Sequence, residues 1–366
     1  MFSNIYAGKR VLVTGHTGFK GSWLSTWLLQ LGAEVAGYSV DLPGTPCNFE
    51  ILHLAGRMHH HMGDVRDRQK LKETLDGFRP EIIFHLAAQP LVRRAYNDPV
   101  NTFETNAIGT LNVLEYVRHN PGVRAAVMIT SDKCYRNVEW TWGYRENDIL
   151  GGEDPYSASK GCAELVSYAY IKSYFETTAG AAAVATARAG NVIGGGDWAE
   201  DRIVPDCIRS WSKGDPVSIR SPQSTRPWQH VLEPLSGYLH MGGELLRQNR
   251  QVTGQAYNFG PDITVNHPVI ALIQELGGYW PDARWTIEPR DPYARPEARF
   301  LKLCCDKALA DLKWRPVLVF PETVRLTGEW YRRYYTQSGA DMHEFTLQQI
   351  ETYCRFARER GLPWIQ

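Results

Sequence analysis

The segment that most constrains the fold is RVLVTGHTGFKGSWLSTWLLQLG, which covers residues 10–32. Its first part, RVLVTG, is a short valine-rich run typical of a buried strand, whereas GSWLSTWLLQLG has the length and spacing of a helix. Gly32 is the residue expected to end that helix. A strand that turns directly into a helix predicts a βαβ unit. The turn between them contains three glycines spaced three residues apart, namely Gly15, Gly18 and Gly21.

Five further apolar runs follow at the spacing that alternating strands and helices require. They are EVAGYSVD, RMHHHMGDV, EIIFHLAA, AAVMITS and AAVATARAG, at residues 34–41, 57–65, 81–88, 125–131 and 182–190. Strands separated by helices form a parallel sheet through right-handed crossovers, with helices covering both faces. The chain is therefore predicted to have an α/β fold with a Rossmann-type doubly wound parallel sheet.

The amino-acid composition of the sequence changes after Gly190. GNVIGGGDW is rich in glycine, and the rest of the chain is dense in proline, tryptophan and arginine. We expect residues 1–190 to form the Rossmann domain, to which residues 230–262 return through a helical run and the strand-like QAYNFG. Residues 191–229 and 263–366 are expected to form a smaller, substrate-binding domain.

The charge balance excludes several classes of partner. Lysine plus arginine and aspartate plus glutamate both number 40, so no net field attracts nucleic acid or an anionic membrane. No apolar stretch reaches the roughly 20 residues that a transmembrane helix needs, and the first residues lack the apolar core of a signal peptide. Seven cysteines without a CxxC pair argue against a disulfide framework or a zinc site. A reduced cytoplasmic enzyme is expected.

The glycine turn has the position of a dinucleotide site. Glycines let the backbone approach a pyrophosphate, whose charge is favoured at the N-terminus of the following helix. Asp41 ends the second predicted strand, where a carboxylate binds the adenosine ribose hydroxyls and repels the 2′-phosphate of NADP. The predicted cofactor is therefore NAD, and Asp64 and Val65 at the end of the third strand would flank its adenine.

Three consecutive histidines, His59 to His61, have the composition of a metal site but not its geometry. Successive strand residues point to opposite faces of a sheet, so three in a row do not converge on one ion. We expect no metal at this position.

DPYSASKG places Tyr156 and Lys160 four residues apart at the start of a predicted helix. That spacing puts both on one face, and Asp154 and Pro155 suit the N-cap and the first helical position. A tyrosine with a pKa of about 10 is a poor base at neutral pH, but an ammonium within about 4–6 Å stabilises its phenolate. Such a tyrosine could deprotonate a sugar hydroxyl while hydride leaves the same carbon.

Together these features resemble the extended short-chain dehydrogenase/reductase superfamily, and the resemblance covers essentially the whole chain. The strings TSDKCY, ENDILGGEDPYSASK, ARAGNVIGGGDWAEDRIVPD, STRPWQHVLEPL and CDKALADLKWRP are similar to the CDP-glucose 4,6-dehydratase family. The resemblance implies a redox-neutral dehydration of CDP-D-glucose to CDP-4-keto-6-deoxy-D-glucose, which feeds deoxysugar and O-antigen biosynthesis. Oxidation at C4 would acidify the C5 hydrogen, water would leave from C6, and the hydride would return to C6.

The same resemblance assigns roles to TSDKCY. Ser131 matches the hydroxyl residue near the C4 hydroxyl, and Asp132 matches the general acid for the C6 hydroxyl, a role that requires its protonated form. Lys133 stands where the related dTDP-glucose enzymes carry a glutamate, the presumed C5 base. A lysine could act as a base if buried, stabilise the developing enolate as a cation, or pair with Asp132 and keep it ionised. The sequence leaves these three roles open.

The resemblance also assigns residues around the cofactor and the substrate. Beside the glycines, Asp41, Asp64 and Val65, the NAD site would include Thr17, Phe19, Leu86, Ala87, Ala88, Asn106, Tyr156 and Lys160. Because arginine suits a diphosphate, the sugar nucleotide would contact Gln89, Asn191, Arg202, Arg226 and Arg299. A loop role for Gln89 and a surface role for the arginines are the alternatives.

The helix YSASKGCAELVSYAYIKSYF carries apolar residues on more than one face. Similar enzymes pair this helix with its symmetry mate, so we expect a homodimer or homotetramer.

Three other activities stay open. They are a C4 epimerase, a 4,6-dehydratase for a dTDP-, UDP- or GDP-hexose, and a catalytically silent NAD-sensing protein. In the epimerases of this superfamily, the segment that corresponds to TSDKCY lacks the aspartate. A silent protein would be expected to have lost Tyr156 or Lys160, and both are present.

Overall fold

Every predicted strand is present in the computed structural model, which describes residues 1–288 and 300–366 of the chain. In chain order the strands are β1 (Arg10–Thr14), β2 (Glu34–Ser39), β3 (His59–Met62), β4 (Ile82–His85), β5 (Ala125–Ile129), β6 (Ala183–Arg188), β7 (Val192–Ile193), β8 (Val217–Ile219), β9 (Thr225–Arg226), β10 (Gln229–His230), β11 (Ala256–Asn258), β12 (His267–Pro268) and β13 (Trp285–Ile287).

In the described ranges, ten helices lie between these strands along the chain, and three more follow β13. They are α1 (Phe19–Gln30), α2 (Asn48–Ile51), α3 (Arg68–Phe78), α4 (Val92–Asn97), α5 (Pro99–Phe103), α6 (Gly109–His119), α7 (Pro155–Tyr170), α8 (Ile203–Trp211), α9 (Leu232–Leu246), α10 (Val269–Gly277), α11 (Asp306–Leu312), α12 (Phe320–Thr336) and α13 (Met342–Glu359). Single π-helical turns lie at Glu104–Ile108 and Ile171–Phe175.

Seven strands form the central sheet, in the order β3, β2, β1, β4, β5, β6, β11. All neighbouring pairs in it are parallel. The order reverses between β1 and β4, and open α/β sheets bind ligands outside the carboxyl ends of the strands at such a point. The predicted Rossmann-type α/β fold is confirmed.

Side chains of the central strands alternate between two hydrophobic layers, one on each face of the sheet. Val11 and Val13 of β1 and Val127 of β5 lie in the larger layer, while Leu12 and Met128 lie in the other. Burial on both faces explains why these strands read as continuous apolar runs.

Later parts of the chain return to this sheet. Strand β11 pairs with β6, and α9 packs against β5 and β6. The last helix, α13, packs on α1, where the rings of Trp27 and Tyr353 meet edge to face at 5.9 Å. The substrate domain was expected to include residues 263–366, and α13 within that range packs on α1.

The remaining elements form a smaller region beside the carboxyl ends of the strands. Its two-stranded pieces pair β7 with β10, β8 with β13 and β9 with β12. Helix α10 packs against α12. Within the described ranges, no helix is both long enough and apolar enough to cross a lipid bilayer.

Gly195 gives a direct test of how α12 packs against the segment that follows β7. A Cβ at this position would lie 2.0 Å from Cγ of Trp330 on α12, and overpacking of this kind costs about 1–3 kcal/mol. We therefore expect Gly195→Ala to lower the urea midpoint of unfolding. The matched control is Gly77→Ala in α3, where a Cβ meets nothing within 4 Å and should add up to about 1 kcal/mol of stability. Equal effects of the two substitutions would contradict the packing described.

Candidate active site

The turn after β5 carries three of the predicted catalytic residues. Ser131 caps a single 3₁₀ turn, Asp132–Cys134, and its hydroxyl accepts a hydrogen bond from the backbone N–H of Lys133 at 3.2 Å. The same hydroxyl donates to Oδ1 of Asp132 at 2.8 Å and acts on the phenol of Tyr156, whose pKa it lowers. One serine thus connects the strand-end turn to helix α7.

The carboxylate of Asp132 is held on both sides. Its Oδ2 accepts a hydrogen bond from Nδ2 of Asn191 at 3.2 Å, opposite the Ser131 hydroxyl. A Cβ at position 190 would lie 2.0 Å from Oδ2, so Gly190 is required for the carboxylate to occupy this place. Sequence reasoning missed Gly190, although it lies in the glycine-rich segment that follows β6. Asn191 was predicted to contact the diphosphate, whereas its side-chain amide is directed at Asp132.

Helix α7 begins as predicted. Oδ1 of Asp154 accepts a hydrogen bond from the backbone N–H of Ser157 at 3.0 Å, and Pro155 is the first helical residue. This start places Tyr156 and Lys160 on the inward face, where both are buried.

Burial dominates the electrostatics of this pair. It raises the pKa of Tyr156 to about 12, against the effect of the Ser131 hydroxyl, which lowers it. Burial also lowers the pKa of Lys160 to about 8, and Cys134 and Glu164 act in the opposite direction. The predicted acidification of the phenol is therefore outweighed in the protein by desolvation. A positive charge beside the phenol, such as that of an oxidised nicotinamide, would favour the phenolate.

Lys133 lies at the edge of the same turn and is half-buried. The oxygens of Asp132 are occupied by Ser131 and Asn191, and in the described part of the chain no ion pair joins Lys133 to Asp132. Of the three roles that the sequence left open, the ion pair with Asp132 is thus disfavoured.

The glycine turn forms a tight cradle at the end of β1. Gly15 has a φ of +74°, and a Cβ there would lie 2.8 Å from the backbone N of Ala87. A Cβ on Gly21 would lie 2.1 Å from the carbonyl oxygen of Gly15. Gly18 occupies the N-cap of α1, which begins at Phe19. A glycine turn at a helix N-terminus, with no side chains between a ligand and the backbone, fits a pyrophosphate.

The residues predicted for the adenosine half lie along the ends of β2 and β3. Oγ1 of Thr17 donates to the carbonyl oxygen of Asp41 at 2.7 Å, which ties the end of β2 to the glycine turn. Val65 is buried, and the Asp64 carboxylate accepts from Nη2 of Arg66 at 2.6 Å. A cleft of about 490 Å³ is lined there by Asp64, Arg66, Asp67, Glu104 and Ile108.

The segment after β4 is positioned by side-chain hydrogen bonds. Leu86, Ala87 and Ala88 are half-buried, and the backbone N–H of Ala87 donates to Oγ1 of Thr14 at 3.2 Å. Nδ2 of Asn106 donates to Oγ of Ser159 at 2.8 Å, and its Oδ1 accepts from the Gln89 backbone at 2.8 Å.

The side-chain amide of Gln89 is occupied by its own loop. Oε1 accepts from the backbone N–H of Leu91 at 2.7 Å, and Nε2 donates to Oγ1 of Thr102 at 2.9 Å. Of the two roles proposed for Gln89, the structure favours the loop role over contact with the hexose.

The three predicted substrate arginines differ in their surroundings. Nη1 of Arg202 donates to Oδ2 of Asp197 at 2.7 Å, and its charge acts on the Tyr156 phenol. Arg226 lies in β9, where its Nη1 donates to the carbonyl oxygen of Thr225 at 2.8 Å. Arg299 lies outside the described residues.

Lys20 is a site residue that sequence reasoning missed. It lies in the first turn of α1, with its Nζ 3.5 Å from the hydroxyl of Tyr238. Burial lowers its pKa to about 8, with Arg202 acting in the same direction and Asp132 in the opposite one. Its place just before the third glycine of the turn was the signal that could have pointed to it.

Two of the three consecutive histidines, His59 and His60, contact separate partners. Nδ1 of His60 lies 2.7 Å from Nε2 of His16 in the glycine turn. Nε2 of His59 lies 3.1 Å from the carboxylate of Glu34.

Comparisons with known proteins agree with this architecture. The sequence model of the GDP-mannose 4,6 dehydratase family matches residues 12–327. A CDP-glucose 4,6-dehydratase from Salmonella typhimurium is 46% identical over 355 residues, which cover 96% of this chain and 97% of the relative.

Solved structures show the same fold. A UDP-glucose 4-epimerase from Thermus thermophilus in complex with NAD is 27% identical, with a TM-score of 0.74, and the match covers 88% of this chain and 99% of that one. An epimerase from Methanothermobacter thermautotrophicus is 25% identical with a TM-score of 0.76, covering 96% and 97% of the two chains. The chain belongs to the GDP-mannose 4,6-dehydratase family of the extended short-chain dehydrogenase/reductase enzymes.

Proposed function

We propose that this enzyme is an NAD-dependent hydro-lyase that converts CDP-D-glucose to CDP-4-keto-6-deoxy-D-glucose. The observation that carries the proposal is that the Ser131 hydroxyl donates to Asp132 and acts on the phenol of Tyr156. It supports a site in which a base for one hydroxyl and an acid for a second hydroxyl face a single hexose. The choice of CDP-glucose rests on the substrate of the Salmonella relative. The product is a starting material for deoxysugars, including those of O-antigens, and we propose a cytoplasmic location.

Tyr156 is the proposed base at the C4 hydroxyl. The chemistry that NAD would supply when bound is reversible hydride transfer, from C4 and back to C6, with no net consumption of the cofactor. Ser131 would orient the C4 hydroxyl towards the phenol, and the Lys160 ammonium would favour the phenolate. Little of Tyr156 is present as phenolate in the protein alone, since burial raises its pKa to about 12. Proton removal is therefore expected to depend on the positive charge of the oxidised cofactor.

Asp132 is the proposed acid for the C6 hydroxyl. Hydroxide is a poor leaving group, so departure of the C6 oxygen requires a proton. The hydrogen bonds from Ser131 and Asn191 support this role because they fix the direction of the carboxyl group. Lys133 remains either the C5 base or a cation that stabilises the developing enolate.

The residues that bind NAD and the sugar nucleotide are also proposed. The glycine turn, Thr17, Phe19, Asp41, Asp64, Val65, Asn106 and the loop after β4 would hold NAD on residues 1–190 and 230–262. The sugar nucleotide would be held by residues 191–229 and 263–366. Arg202 lies near Tyr156, which supports a place beside the hexose, and Arg226 is the proposed diphosphate contact.

A C4 epimerase is the second candidate, since structures of that class share the fold. Epimerisation leaves the mass of the sugar nucleotide unchanged and needs no acid at C6. The buried and oriented carboxyl of Asp132 favours dehydration.

The substrate can be identified with CDP-, dTDP-, UDP- and GDP-glucose in parallel. We expect a 4-keto product, lighter by one water, from CDP-glucose in preference to the other three. With C4-deuterated CDP-glucose the label should be found at C6 of the product. A product of unchanged mass would establish the epimerase instead, and preference for another nucleotide would contradict CDP-glucose as the substrate.

Asp132→Asn tests the assignment of the C6 acid. The amide cannot donate the required proton, so elimination should slow by about 10²- to 10⁴-fold, while C4 oxidation continues. Reduced nicotinamide should therefore accumulate, which absorbance at 340 nm would measure in a single turnover. Asp76→Asn is the control, because Asp76 lies on the surface in an ion pair with Lys72. Loss of C4 oxidation itself in a folded Asp132→Asn variant would contradict the assignment.

A homodimer or homotetramer is proposed from the outer face of α7. Leu165 and Tyr168 lie one turn apart and are 58% and 60% exposed. Val100 and Ile108, on helical segments packed against α7, are 66% and 47% exposed. Exposed apolar residues grouped on neighbouring helices are typical of a covered interface.

Sedimentation velocity at micromolar protein tests this assembly. The wild type is expected to sediment as a dimer or tetramer, and Leu165→Glu combined with Tyr168→Glu should shift it towards the monomer. Val138→Glu is the control, since Val138 is 54% exposed in the loop that precedes α7. A wild-type monomer at all concentrations would contradict the proposal.

A further inference from the structure

A buried ion pair lies behind the catalytic turn. Arg188, the last residue of β6, donates from Nη2 to Oε2 of Glu164 at 2.8 Å and from Nε to Oε1 at 2.9 Å. The two side chains are only 4% and 3% exposed. Glu164 lies on α7, one helical turn beyond Lys160. A bidentate pair without solvent contact is costly to form unless its other hydrogen bonds are satisfied.

Those other hydrogen bonds come from two strands of the sheet. Oγ1 of Thr130, directly after β5, donates to Oε1 of Glu164, and Oγ1 of Thr186 in β6 donates to Oε2 at 3.1 Å. Burial would raise the pKa of Glu164, but the Arg188 guanidinium and these hydroxyls hold it below its usual value. Glu164 is therefore ionised and neutralises Arg188 within the protein.

Arg188 contacts the other end of the catalytic turn. Its Nη1 donates to the hydroxyl of Tyr135 at 2.6 Å, and its guanidinium lies over the Tyr135 ring at 4.9 Å. The same hydroxyl donates to Oδ1 of Asn258 in β11 at 2.8 Å. Thr130 precedes the turn that carries Ser131 and Asp132, and Tyr135 follows it. The ion pair thus holds both ends of that turn.

The pair also lies near the buried ammonium of Lys160. The other titratable groups that act on or are affected by Lys160 are His85 at the end of β4, Cys134 in the catalytic turn and Lys20 on α1. Tyr156 and Glu164 lie one turn away on either side on α7 itself. Glu164 favours the charged form of Lys160, against burial. Without Glu164, the charge of Arg188 would be left uncompensated and would repel that ammonium.

We propose that Glu164 and Arg188 are positioning residues that hold the Ser131–Asp132–Lys133 turn against α7 at both ends and keep Lys160 cationic. This inference rests on the proposed function. It adds two residues that need touch neither substrate nor cofactor, and it predicts separate effects on rate and on pH dependence.

The test compares the pH dependence of kcat in the full-length enzyme with CDP-glucose. The ammonium of Lys160 must be protonated for activity, so activity is lost as pH rises through its pKa. Glu164→Gln lowers that pKa further, so the alkaline limb should move to lower pH by about one unit. Because the turn is also less well positioned, kcat at the optimum should fall about 10- to 100-fold, with KM changed less.

Two further variants separate charge from positioning. In Glu164→Gln combined with Arg188→Met the uncompensated charge is gone, so the alkaline limb should return towards the wild type while kcat stays low. Tyr135→Phe removes the hydrogen bond between Arg188 and the end of the turn but keeps the ion pair. It should therefore lower kcat about tenfold without moving the alkaline limb of the pH profile. The matched control is Glu359→Gln, whose pair with Arg355 is exposed; neither quantity should change.

A readout that needs no substrate keeps this inference distinct from the proposed function. Titration of Lys160 by NMR with ¹³Cε-labelled lysine should show the same downward shift in Glu164→Gln, after circular dichroism has verified folding. An unchanged titration, with kcat within twofold of the wild type, would overturn the positioning role. If instead the wild type failed to dehydrate any sugar nucleotide while the titration shifted, the proposed function would fail and the electrostatic role would stand.

Discussion

The hydroxyl of Ser131 lies where a strand, a helix and two ionisable side chains meet. It caps the turn after β5, donates to Asp132 and lowers the pKa of Tyr156. That one group therefore acts on both the acid proposed for C6 and the base proposed for C4. The proposed dehydration depends on this constraint, since two hydroxyls of one hexose must be served by groups from different elements of the fold.

Buried charge is the common feature of the surrounding structure. Tyr156, Lys160, Asp132, Glu164 and Arg188 are all buried at the carboxyl edge of the sheet. Burial disfavours each charged form, and only fixed hydrogen bonds and opposite charges offset that effect. Burial thus raises the pKa of Tyr156 and lowers that of Lys160. Both shifts reduce the charge in the site, and a cofactor with a positive charge would favour the Tyr156 phenolate. In the proposed reaction, a site arranged in this way would favour deprotonation of the C4 hydroxyl while the cofactor is oxidised.

The parts of the structure that were predictable are local in the sequence. The strand, glycine turn and helix at residues 10–32, the cap by Asp154 and the shared face of Tyr156 and Lys160 each depend on residues within a few positions. Contacts between distant segments were not predictable. Asn191 binds Asp132 across 59 residues, and the need for Gly190 follows from the same contact.

The direction of the pKa shift of Tyr156 was not predictable either. It depends on burial by the whole fold and not on the neighbouring lysine alone. Gln89 illustrates the opposite case. The sequence placed it correctly after β4, but only the structure shows that its amide is used by its own loop.

The central claim is that a single hexose lies between the residues at positions 156 and 132. A crystal structure of Tyr156→Phe with NAD and CDP-glucose tests it most directly, because that variant cannot begin turnover. The account predicts the C6 oxygen within about 2.6–3.2 Å of the Asp132 carboxyl, with the C4 oxygen beside Ser131 and the ring at position 156. A hexose bound elsewhere, or an Asp132 carboxyl turned towards bulk solvent in that complex, would contradict it.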